Sequence, residues 1–156
     1  MKIKLTLEKA YLKITRFCTY QERTQQEVRH RLYMWEVNAD EVEELIARLI
    51  EDNFLNEERF GKAYAGGKFR MRQWGKIKIE NRLKAKGLSS YCISKGLQEI
   101  SEEDYIQTLK ELIEKRKEKA EKKEDNPSLI RQSIYYYLTG KGYESELILK
   151  LLKEND

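Results

Sequence analysis

One spacing of apolar residues occurs three times in this chain and restricts what it can fold into. Val28-x3-Leu32-x4-Val37 is matched by Ile79-x3-Leu83-x4-Leu88, 51 residues on, and by Ile134-x3-Leu138-x4-Tyr143, a further 55 residues on. The first two residues of each set share a helical face, and the third falls where that helix would end. The match continues into the next helix of each set, at Val42 and Ile46, Ile93 and Leu97, and Ile148 and Leu152. Such a period implies tandem units, each with a small core of its own, that remove more surface from water by stacking. The expected fold is all-α. Three tandem three-helix repeats, helix-turn-helix-like in build, form an elongated, curved array with units at 1–55, 56–100 and 101–156.

Capping residues recur with the apolar ones. Thr24-x-x-Glu27 has the form of a capping box, and Asn38, Asn56, Ser89 or Ser90, Ser101 and Asn126-Pro127 stand at further helix starts. Helical spacing places Leu5, Leu7, Ala10, Leu12, Ile14 and Phe17 in a first helix. Val42, Leu45, Ile46, Leu49 and Ile50 form the stripe of a third. Gly66-Gly67 argues against one unbroken helix from Asn56 into Phe69. Trp74-Gly75 reads as a joint, after which Ile77, Ile79 and Leu83 lead to a stop at Gly87. Tyr105, Leu109, Leu112 and Ile113 mark the next buried stripe, before EKRKEKAEKKE over 114–124, a solvated helix extension with Glu111–Lys115 and Glu118–Lys122 as i, i+4 pairs. Ile130, Ile134 and Leu138 follow, ended by Gly140 and Gly142, and Leu147, Ile148, Leu151 and Leu152 close the chain.

Charge is distributed unevenly. Between Gly61 and Gly87 stand Lys62, Lys68, Arg70, Arg72, Lys76, Lys78, Arg82, Lys84 and Lys86 against the single acid Glu80, a balance of +8 in a chain whose total is +4. Most charge runs are solvated helix faces, but the near-absence of acids here favours an anionic partner, either several phosphates or an acidic groove. Lys78, Arg82 and Lys86 fall at i, i+4, i+8, and Trp74 is the one large aromatic embedded in the run.

Other chemistry finds little support. There is no phosphate-cradling Gly-rich loop and no nucleophile with a base, and Glu57-Glu58 and Glu102-Glu103-Asp104 fall at helix starts, where the dipole accounts for them. Cys18 and Cys92 are isolated and His30 is the single histidine, so a zinc site or disulfide framework is not expected. No apolar run approaches the ~20 residues of a membrane span. The N-terminal MKIKLTLEKAYLK lacks the apolar core of a signal peptide, so the expected location is the cytoplasm.

Glu58-Arg59-Phe60 with Tyr64, then Arg70 and Arg72, Gly75, Ile79, Leu83 and Gly87-Leu88, resembles the signature of the RecX family of bacterial recombination regulators. The resemblance extends over essentially the whole chain, with departures at Gly66-Gly67 and Trp35-Glu36-Val37. It implies a modulator of RecA and not an enzyme. Such a protein binds in the groove of the RecA filament on single-stranded DNA and inhibits its growth, ATP hydrolysis, strand exchange and co-protease activity. Partners are then the RecA filament and single-stranded DNA, with double-stranded DNA a further one, for a monomer without cofactor or metal. Candidate contacts to RecA or DNA are Lys68, Arg70, Arg72, Trp74, Lys76, Lys78, Arg82, Lys84 and Lys86. Arg59, Phe60, Tyr64, Gly75, Ile79, Leu83 and Gly87 are mainly structural. The alternative is a stand-alone DNA-binding protein of helix-turn-helix type.

Overall fold

The computed structural model describes residues 5–154, and among these the chain forms nine α-helices and no strand. In order they are α1 (Leu7–Tyr20), α2 (Gln25–Met34), α3 (Ala39–Glu51), α4 (Glu57–Arg72), α5 (Lys76–Ala85), α6 (Ser90–Leu97), α7 (Glu102–Glu121), α8 (Pro127–Gly140) and α9 (Ser145–Glu154). They gather into two compact units: one runs through Ala63 and takes in Leu83–Gly96, the other comprises Tyr64–Arg82 and the chain from Leu97 onward.

Helix starts follow the side chains that can replace missing backbone acceptors. Thr24, Asn56, Ser89, Ser101 and Asn126 each accept from an amide of the first turn, at 2.9–3.2 Å. Thr6 does the same for α1. Two caps differ from expectation. Asn38 occupies its position without a side-chain bond. Glu27 lies 3.5 Å from Lys86, while Glu57 accepts from the Gln25 amide.

The triple repeat is a structural fact as well as a pattern. All nine of its residues, from Val28 to Tyr143, are buried. Each set also ends in the same hydrogen-bonded turn. Val37, Leu88 and Tyr143 donate their amides to Leu32, Leu83 and Leu138 at 3.1, 3.2 and 3.1 Å. The residue before each sits in the left-handed region, at φ 60° for Glu36, 85° for Gly87 and 97° for Gly142. This six-to-one bond with a left-handed residue satisfies carbonyls that a helix end leaves unpaired. Glu36 therefore takes, at steric cost, a conformation that glycine adopts freely.

Within the first unit, the inward residues Ala10, Ile14 and Cys18 of α1 join the α3 stripe, and Tyr11 donates its hydroxyl to Asp52. Cys18 is buried and Cys92 half-buried, both free thiols. Gly61 and Gly96 let α4 and α6 touch: a Cβ on Gly96 would lie 2.6 Å from the Gly61 carbonyl oxygen. The second unit is organised around Tyr105, whose ring stacks on Tyr143 at 5.1 Å and meets Phe69 at 5.9 Å, above the α7–α9 core.

Four expectations need correction. α4 runs unbroken through Gly66-Gly67. Buried Phe60, Ala65 and Phe69 hold it on both sides of the glycines, so packing outweighs propensity. Leu12, Ile50 and Ile77 are exposed and not in the core. Tyr11 takes the inward position beside Leu12, Ile50 lies at the edge of a stripe already filled by Leu45, Ile46 and Leu49, and Ile77 is about 200° from Ile79 around α5.

Candidate nucleic-acid interface

The segment between α4 and α5 is held almost entirely by its own backbone. Gln73, left-handed at φ 56°, ends α4. Gly75 then meets the turn between α8 and α9, donating its amide to the Lys141 carbonyl at 2.8 Å, and Ile77 donates to the Gly142 carbonyl at 3.0 Å. Tyr143 donates its hydroxyl to the Gln73 carbonyl (2.9 Å) and Lys141 its ammonium to that of Arg72 (3.0 Å). The Tyr105 hydroxyl accepts from the Lys76 amide at 2.9 Å and donates to Glu144. The expected joint at Trp74-Gly75 is there, between the end of α4 at Arg72 and the start of α5 at Lys76, and it is fixed. A Cβ on Gly75 would lie 2.2–2.4 Å from the backbone of Gly142 and Tyr143, so only glycine permits the approach.

Trp74 is fixed between these bonds with its indole half-buried. Three cations converge on it: Lys78 Nζ at 4.4 Å, Lys68 Nζ at 5.0 Å and Arg82 Cζ at 5.5 Å from the ring centroid. Tyr64 meets the indole edge-on at 6.5 Å, with Lys68 Nζ 5.5 Å from its ring. Burial raises the Tyr64 phenol above its usual pKa, partly offset by Arg82, so it is neutral at physiological pH. Each cation adds to the attraction of an anion, and the rings offer stacking surface.

The rest of the basic stretch is not gathered there. Lys76 reaches Glu102 at 3.4 Å and lies over the Tyr105 ring at 4.5 Å. Arg70 lays its guanidinium across Gly66, and Arg72 is exposed with its carbonyl holding Lys141. Lys84 is on the exposed side of α5, within the first unit. Lys86 follows the end of α5, where it meets Glu27 and the Phe60 ring. Lys78 and Arg82 therefore share a face that Lys86 leaves.

The remaining motif residues meet other parts of the chain. Arg59 binds Glu22 at 2.6 Å and both the side chain and carbonyl of Asn53, another left-handed residue, so it pins the turn before α4. Phe60, Ile79 and Leu83 are buried, and Gly87 supplies the turn. Sequence reasoning missed Tyr64 as part of the aromatic cluster, and Tyr105, Lys141 and Tyr143 as its supports. One signal was available: the third repeat carries Tyr143 where the others have Val37 and Leu88. Among the described residues no group of three His, Cys, Asp or Glu could hold a metal ion, and no helix is long and apolar enough to cross a membrane.

Two family models match this chain, the RecX first three-helix domain over residues 10–49 and the RecX second three-helix domain over 56–97, together just over half of it. The regulatory protein RecX of Bacillus cytotoxicus is 30% identical over 148 residues, and that of Bacillus cereus strain B4264 29% identical over the same length. Each alignment covers 95% of this chain and 54% of the relative, so the chain spans about half the length of the curated relatives it matches. Among solved structures, RecX from Lactobacillus salivarius superposes with a TM-score of 0.86 at 22% identity, covering 95% of both chains. A second regulatory protein RecX gives 0.83 at 20% identity, over 94% of this chain and 71% of the other. At these identities the superpositions speak for the fold.

Proposed function

This chain belongs to the RecX family, and we propose that it is a regulator that binds RecA and its filament on single-stranded DNA. On this reading it inhibits ATP hydrolysis, strand exchange and co-protease activity, acting as a monomer without cofactor. The units at 1–55, 56–100 and 101–156 are its repeating parts. The observation that carries the reading is the convergence of Lys68, Lys78 and Arg82 on Trp74, beside Tyr64. An aromatic ring flanked by cations suits an unpaired strand, whose bases stack and whose phosphates need neutralising. The backbone clamp on residues 72–77 supports it further, because a preorganised contact loses less entropy on binding.

The test compares affinity for a RecA filament with affinity for the same naked DNA. The filament is expected to bind far more tightly; equal affinities would favour the stand-alone DNA-binding protein. Trp74→Ala should cost about 1–3 kcal/mol, roughly 5- to 150-fold in affinity, by loss of stacking. Arg82→Glu with Lys78→Glu should collapse binding at low salt. Retention of filament affinity and ATPase inhibition in both variants would remove the cluster from the mechanism.

A further inference from the structure

The α7 segment after Ile113 reads as a solvated, mixed-charge extension, yet one of its faces is neither mixed nor fully solvated. Lys115, Arg116 and Lys119 lie on the side of α7 turned toward α8. With Gln73, Leu112 and Tyr137 they line a cavity of about 250 Å³ that no acid lines. Arg116 stacks its guanidinium over the Tyr137 ring at 4.5 Å, and Lys141 Nζ is 5.7 Å from that ring. The Arg116 Nε is buried without a hydrogen-bond partner. Arginine ordinarily keeps its polar head in water while its stem packs. That edge of the guanidinium is closed off, so a ligand in the cavity would meet the terminal nitrogens. Arg116 and Lys119 also line the adjoining cavity of about 140 Å³, which carries the cationic face on to Lys123 before the acid Glu124.

We propose that the α7–α8 cavity of the second unit is an oxyanion site for a phosphate group, with Arg116 as the planar fork and Lys115 and Lys119 as flanking charges. A stacked guanidinium presents parallel N–H donors that match phosphate oxygens, and the ammonium groups add charge without fixing direction. The cavity has room for a phosphate or diphosphate group. The group has two sources, the phosphodiester of a single strand or a free diphosphate. The site stands on residues apart from the Trp74 cluster, so each can fail without the other.

Calorimetric titration at several salt concentrations tests this on the full chain, with inorganic pyrophosphate and with oligothymidylate as probes. The exposed pair Lys115→Gln/Lys119→Gln removes two charges without touching the core, and Lys110→Gln/Lys122→Gln removes two from elsewhere on α7 and its C-cap. Pyrophosphate affinity should fall at least 10-fold in the first pair, stay level in the second, and be unchanged by Trp74→Ala. Arg116→Lys, which keeps the charge but loses the fork, should also weaken it. If the strand is the source, the slope of log affinity against log salt for oligothymidylate should shrink by about 1.4 in the first pair, two contacts at 0.7 each. Lost pyrophosphate binding with an unchanged strand slope assigns the site to the free anion. A changed slope without pyrophosphate binding assigns it to the phosphodiester. The proposal is overturned if the Lys115/Lys119 pair alters neither readout, or if Lys110/Lys122 alters them equally.

Discussion

Gly75→Ala and Gly67→Ala make the same chemical change on one stretch of chain and should move stability in opposite directions. At Gly75 the new methyl would lie 2.2 Å from the carbonyl carbon of Gly142 and 2.4 Å from the Tyr143 nitrogen, atoms that cannot rotate aside. Relief requires the α4–α5 segment to lift from the α8–α9 turn. That movement stretches the Gly75–Lys141 and Ile77–Gly142 backbone bonds and the Tyr143–Gln73 bond, at 2.8, 3.0 and 2.9 Å. At about 1 kcal/mol for each bond, plus about 1–3 kcal/mol of overpacking, the cost is about 4–6 kcal/mol. A domain is stable by only about 5–15 kcal/mol, so the second unit would be close to unfolding. At Gly67, inside α4, nothing lies within 4 Å of the added methyl. Alanine there should stabilise by about 0.5–1 kcal/mol, because it restricts the unfolded chain and suits a helix. Urea denaturation read by circular dichroism separates the two, and hydrogen exchange should show the Gly75→Ala loss concentrated in residues 64–82 and 97–154. A Gly75→Ala cost below about 1 kcal/mol, or a Gly67→Ala variant that is destabilised, would refute the reasoning.

Leu83, with no exposed surface, should lose roughly 2–5 kcal/mol on truncation to Ala; an unchanged melting temperature would deny the repeat its structural meaning. Glu36→Gly should raise the denaturation midpoint, since the left-handed φ of 60° costs a non-glycine residue about 1–2 kcal/mol and glycine's added freedom returns only about 0.5–1 kcal/mol of that; a lowered midpoint would show that the Glu36 side chain matters more than its backbone. Stability should hold up to about pH 9 and then decline, first because burial pushes the Cys18 thiol from 9.0 up to about 11, then through the phenols. Burial, with the Asp52 carboxylate second, pushes the Tyr11 phenol from 10.0 up to about 12, and burial is also the first cause for Tyr105 and Tyr143, which are raised further. The folded state then holds protons that the unfolded state releases, so the phenols' stabilisation is complete below pH 10 and the Tyr11 share is lost as pH rises through 12. Thermal melts from pH 8 to 12 check it, and a midpoint that stays level or rises above pH 10 would contradict it.

What could be read from residues alone is what short-range physics controls. Helix starts at Thr24, Asn56, Ser101 and Asn126 and stops at Gly87 and Gly142 follow from hydrogen bonds closed within about six residues. The threefold recurrence of Val28, Leu32 and Val37 was legible because burial on a helical face imposes a fixed spacing. Local rules misled where tertiary packing overrides them, as at Gly66-Gly67, where propensity argued for a break and a packed helix runs through. The basic stretch was visible as a sum of charge, but a sum does not say which side chains meet.

That selection belongs to the tertiary structure. Lys68, Lys78 and Arg82 share the Trp74 ring, whereas Lys76 and Lys86 turn to Glu102 and Glu27. The difference depends on partners far along the chain, because the segment that positions Trp74 is held by hydrogen bonds from Lys141 and Tyr143, 69 and 70 residues distant. Nothing local to Trp74 or to Arg116 encodes those contacts. A charge acquires a neighbour only when packing brings remote backbone within hydrogen-bond reach, and no periodicity in the sequence records that distance.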